Sequence, residues 1–115
     1  MTIGRKLHTT RCHKPVSVGD AWLSIEHIYE DEDGRGAVVA YRDPSKPSPY
    51  GPRALRGGCF RLGERRELFP GVHVTIDQES THSWVRLAIE ADKSVPITDG
   101  FPRQRKLQPT AAVGA

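Results

Sequence analysis

Trp84-Val85-Arg86-Leu87-Ala88-Ile89-Glu90-Ala91-Asp92-Lys93-Ser94-Val95-Pro96-Ile97 is the stretch whose reading decides the fold. Val85, Leu87 and Ile89 alternate with Arg86, Ala88 and Glu90, which is the two-residue period of a half-buried β-strand. Ala91 to Ser94 turns the chain, and Val95-Pro96-Ile97 begins a second extended piece. Pro96 has no N–H for a ladder, so that piece belongs at a sheet edge. The same period recurs outward: Val72, Val74 and Ile76 alternate within 68–76, Cys59 to Leu62 reads as a strand, and Met1 to Leu7 as a short one. Leu23 and Ile25 alternate with Trp22, Ser24 and Glu26, and Ala37 to Arg42 returns as a strand. The turn between them, Glu30 to Gly36, carries four adjacent carboxylates and an Asp33-Gly34 pair suited to positive φ. No segment has a helical period. The expected class is all-β, with small antiparallel sheets in a barrel-like sandwich and no substantial helix.

With Gly19 set over Gly71, the halves of the chain correspond: Val16-Ser17-Val18-Gly19 over Leu68-Phe69-Pro70-Gly71, then a strand, a polar turn and a returning strand. The first copy's turn is expected to be longer than the second's by roughly four residues. Residues 1–52 form the first unit with a connector, Pro44 to Pro52, whose four prolines forbid helix or central strand. Residues 53–99 form the second unit, and 100–115 a disordered tail poor in apolar residues. Trp22 and Trp84 take matching places in the two hairpins and are expected to anchor a shared core.

A chain of 115 residues suffices for one ordinary domain or two small lobes with a common core. Its hydrophobic fraction of 37% and mean hydropathy of -0.53 make that core thin. No apolar run reaches the roughly 18 residues of a membrane span, and the N-terminus lacks a signal-peptide core. A cytoplasmic protein without membrane contact is expected, with Cys12 and Cys59 as reduced thiols because no C-x-x-C is present. The net charge of +3 is unevenly spread. Residues 1–18 carry four bases and no acid, 19–34 six acids and no base, and 35–66 eight bases against two acids. Such blocks suit a phosphate-binding surface beside an acidic one.

Catalytic and metal chemistry find little support. Cys12-His13 with Cys59 or His73 lacks zinc-ligand spacing, and no local signature marks a Cys–His nucleophile. Gly34 is misplaced for a calcium loop built on Glu30 to Asp33. No Gly-Lys-Ser/Thr follows Gly57-Gly58 as a phosphate loop requires. His27, His73 and His82 read as surface residues of strands or turns. Neither an enzyme nor a cofactor is expected.

The run V-R-L-x-I-E-A-x-K-x-V-P-I, over Val85 to Ile97, resembles the fourth and fifth strands of the carbon storage regulator family of bacterial translational repressors. Leu68 to Ile76 is similar to that family's second and third strands, and Arg61-Leu62-Gly63-Glu64 to the end of its first. The likeness spans Cys59 to Thr98. It implies five-stranded units that interleave as dimers, each rim binding a GGA-containing RNA loop; two units in one chain imply a pseudo-dimer that is a monomer. The resemblance places Thr2–Leu7 beside Ser94–Thr98 and Gly58–Leu62 beside Lys46–Tyr50. It offers Arg5, Lys6, Lys93, Val95 and Ile97 at one rim and Arg61, Arg65 and Arg66, with Arg53 and Arg56 nearby, at the other. RNA, as an mRNA leader or small RNA, is the implied partner. Where the family has His-Arg after its fifth strand, this chain has Thr98-Asp99, a carboxylate that repels phosphate. A looser similarity, Arg56 to Leu62 with Leu68 to Gly71, is to cyclic-di-GMP-binding PilZ domains, whose Asp/Asn and Ser are missing here. The competing reading is a small β module binding a protein, as an inhibitor or assembly factor, with Glu30 to Asp33 mimicking nucleic acid.

Overall fold

A computed structural model describes residues 2–43 and 56–102, all strand, turn and loop. Nine strands are present among them: β1 (Ile3–Thr10), β2 (Val16–Val18), β3 (Ala21–Asp31), β4 (Gly34–Arg42), β5 (Arg56–Arg61), β6 (Arg65–Phe69), β7 (Val72–Ile76), β8 (Val85–Asp92) and β9 (Ile97–Asp99). All pairings between them are antiparallel. One sheet has four strands in the order β1-β8-β7-β6, the other five in the order β5-β4-β3-β2-β9. Each sheet is therefore a meander from one half of the chain (β6-β7-β8 or β2-β3-β4) bordered by strands from the other half. Neither half closes a core by itself.

The inward residues of both sheets meet in one cluster. Leu23, Ile25, Ile28 and Val39 of one sheet share it with Val74, Ile76, Leu87 and Ile89 of the other. Alternation accounts for nearly all of this, and two bulges account for the exceptions. In β3 the register slips between Ile25 and His27, so inward positions pass from Leu23 and Ile25 to Ile28. In β6 the slip lies between Glu67 and Phe69, which lets the adjacent Leu68 and Phe69 both be buried.

Several expectations are corrected. The turn of the first hairpin is the shorter of the two, not the longer. Asp31 pairs with Gly34, leaving only Glu32 and Asp33 between them, and Gly34 takes the positive φ of 118°. In the second half a longer loop joins Ile76 to Val85. The tryptophans are not core anchors: Trp84 is 39% exposed, and Trp22 lies on the outer face, where Phe101 packs edge-on against it at 4.9 Å. Their parity decides this, because Leu23 and Val85 next to them take the inward places. Lys46–Tyr50, Arg53 and the tail from 103 onward lie outside the described residues. Cys12 and Cys59 are both free thiols, and no helix among the described residues is long and apolar enough to cross a membrane.

Candidate functional site

β1 is an edge strand, and it carries Arg5 and Lys6 on opposite faces of its sheet. Its partner is β8, with Arg5 across from Glu90 and Lys6 across from Ile89. This corrects the expected pairing with Ser94–Thr98, since β9 hydrogen-bonds β2 instead. One side-chain contact links β1 to β9, His8 Nε2 lying 2.7 Å from Asp99 Oδ1. The Lys93 N–H donates to Thr2 O at 2.9 Å, so the even-numbered residues of β1 bond β8. Ile3, Arg5, Leu7 and Thr9 then turn their N–H and C=O groups to the free edge. Ile3 and Leu7 are 53% and 58% exposed.

A Cβ at Gly4 would stand 2.8 Å from Cγ of Lys93, so a side chain there would displace the Lys93 stem from its place over β1. Lys93 lies on the same face of this edge as Lys6, with Arg5 on the other face near Glu90, and none of the three forms an ion pair among the described residues. Val95 and Ile97 lie half-buried against the core, which leaves them less contact surface than expected. Arg11 and Lys14, in the turn after β1, extend the cationic rim at its other end. They were legible in the acid-free block 1–18 but carried no motif.

Arg61, Arg65 and Arg66 of the second candidate rim are each paired with a carboxylate. Arg61 grips Asp31 with both terminal nitrogens, at 2.9 and 3.0 Å, and lies 3.9 Å from Asp33. Arg65 holds Glu90 at 3.0 Å. Arg66 holds Glu64 at 2.9 Å, with its guanidinium over the Phe60 ring at 4.8 Å. The Arg61 and Arg65 guanidinium groups hold the Asp31 and Glu90 carboxyls below their ordinary values. Arg86 does the same for Asp77, and the Ser94 hydroxyl and N–H for Asp92. Burial and the Glu26 carboxylate push the Cys12 thiol up, which disfavours a nucleophilic thiolate. Among the described residues no group of three metal-ligating side chains occurs.

Four depressed carboxyls give a pH dependence with a definite sign. The folded chain releases protons that the unfolded chain still holds at acidic pH, so their stabilisation is complete above the ordinary carboxylate range. It is lost as pH falls through the unfolded values, 3.8 for Asp and 4.5 for Glu, toward the lower folded ones. Thermal melts should show a constant Tm at neutral pH that declines below about pH 4.5. A Tm unchanged between pH 7 and pH 3 contradicts these ion pairs.

No protein-family model, curated protein or solved structure matches the chain at a significant level.

Proposed function

We propose that the chain is a cytoplasmic RNA-binding regulator of translation, built as an internally fused pseudo-dimer of the carbon storage regulator kind and active at one rim. The observation that carries this reading is the exchange of strands between halves, which sets β1 of the first unit beside β8 of the second, and β9 of the second beside β2 of the first. The open backbone edge of β1 lies beside Arg5, Lys6 and Lys93. Single-stranded RNA needs cations for its phosphates and exposed edge groups for unstacked bases, and this rim offers both. At the opposite rim Arg61, Arg65 and Arg66 are committed to Asp31, Glu90 and Glu64. One RNA per chain is therefore expected, where a symmetric dimer would take two.

Titrating a labelled single-stranded RNA pool by fluorescence anisotropy at 50 and 200 mM salt tests the reading. Each phosphate contact contributes a slope of about -0.7 in log affinity against log salt. Binding at 50 mM that weakens steeply at 200 mM, with one RNA per chain, is the expected result. Absence of binding at 50 mM removes the reading and leaves the protein-binding module in its place.

A further inference from the structure

Beyond the rim, the outer face of the five-stranded sheet holds a cleft of about 270 Å³ between Trp22, Glu26, Ala40, Pro15 and Phe101. Phe101 is 63% exposed, an apolar ring left in water just after β9. It is held in place because Gly100 N–H donates to Pro15 O at 2.9 Å and Ser17 Oγ donates to Gly100 O. Glu26 sits at the β3 bulge. Its carboxylate is oriented by the Ser24 hydroxyl at 2.6 Å and has His13 Nδ1 at 3.7 Å. A carboxylate has about four acceptor positions, so a ligand that presents paired donors finds free ones here.

A second cleft of about 510 Å³ adjoins it, with Thr10, Arg11, Lys14, Ser83 and Asp99 in its lining. Pro15 borders both clefts, and the consecutive Gly100 and Phe101 line one each. Arg11 and Lys14 form no ion pair among the described residues, while the Asp99 carboxylate is bonded to His8. An aromatic, carboxylate-bearing cleft next to one whose two cations, Arg11 and Lys14, outnumber its single carboxylate, Asp99, calls for a ligand with a flat donor-rich end and an anionic end.

We propose that these two clefts form a guanine-nucleotide site, with the base between Phe101, Trp22 and Glu26 and the phosphate against Arg11 and Lys14. The donor pattern selects the base. Guanine presents N1–H and the N2 amino group side by side, a pair that matches two carboxylate oxygens through charge-assisted bonds. Adenine and cytosine each set a single amino donor next to a ring acceptor, and uracil flanks its one N–H with carbonyls; each turns an acceptor toward Glu26. An exposed Phe101 adds the stacking face on which unstacked bases are held, worth roughly 1–3 kcal/mol per base in general. The cleft is small beside the roughly 300–1,000 Å³ of ordinary ligand pockets, which suits one base. The nucleotide can be free or part of an RNA strand crossing the rim; the second source rests on the RNA reading above.

Two-dimensional NMR of the labelled full chain with GMP and with AMP reads the Trp22 indole N–H directly, and anisotropy with oligonucleotides differing by one guanine-to-adenine change reads the strand-borne base. Expected is a Trp22 shift with GMP, or a loss of at least tenfold in oligonucleotide affinity on the base change. That selectivity should vanish in Glu26→Gln and weaken for both bases in Phe101→Ala, with circular dichroism unchanged. GMP binding without any RNA binding assigns the clefts to the free nucleotide and removes the RNA reading alone. RNA binding indifferent to the base change and to Glu26→Gln, with Trp22 silent to GMP, overturns the guanine site and leaves the rim intact.

Discussion

Replacing Leu87 by alanine is expected to lower stability by about 3 kcal/mol, within the roughly 2–5 kcal/mol typical of a large-to-small change in a packed core. Leu87 is 0% exposed and pairs with His8 on one side and Ile76 on the other. Its side chain stands in the middle of the layer shared with Leu23 and Ile25. The rigid ladder on both flanks hinders collapse into the vacated space, so both the transfer and the cavity contributions are felt. A domain of this size holds about 5–15 kcal/mol in all, so the loss should appear as a drop in Tm of more than about 10 °C. Leu7→Ala, at a position 58% exposed on the same sheet, is the control and should change stability by less than about 0.5 kcal/mol. Equal losses at the two positions in chemical denaturation would contradict the two-sheet packing.

Removing the three rim cations together, as Arg5→Ala, Lys6→Ala and Lys93→Ala in one chain, should lower RNA affinity by about a hundredfold in 0.1 M salt. At a release of about 0.7 counterion per phosphate contact, each lost contact costs about fivefold there, and the salt slope should flatten by about 2. All three side chains are exposed and without ion pairs among the described residues, so the fold should persist. Arg61→Ala and Arg66→Ala, whose guanidinium groups are taken by Asp31 and Glu64, should change affinity by less than about twofold. Arg65 is a poorer control, because its loss would free Glu90 to face Arg5 across the β1–β8 ladder. Loss of affinity in the Arg61 variant with none in the rim variant would move the site to the other end of the sandwich.

Local chemistry alone determined much of this protein. Alternation at Val85, Leu87 and Ile89 marked a strand with one buried face, Asp33-Gly34 marked a turn, and Pro96 marked the approach to an edge. Each signal depends only on neighbouring residues and the pleat of the backbone, so each is legible without a partner. Even the β3 bulge leaves a trace, since the apolar parity changes between Ile25 and Ile28. The correspondence of the two halves also emerged from element order, although it made the first turn the longer one, because a long strand with a short turn and a short strand with a long loop occupy the same span.

Only the tertiary structure decided which cations remain available. Arg61 and Asp31 are 30 residues apart, and Arg65 and Glu90 are 25 apart. They meet because sheet order and register bring them to one face, and a list of charges contains neither. His8 finds Asp99 across 91 residues for the same reason. The clefts around Pro15, Trp22 and Phe101 likewise arise where the end of β9 passes the turn after β1. Ion pairing and cleft shape depend on distances between strands remote in sequence, and those distances are set by the shared core.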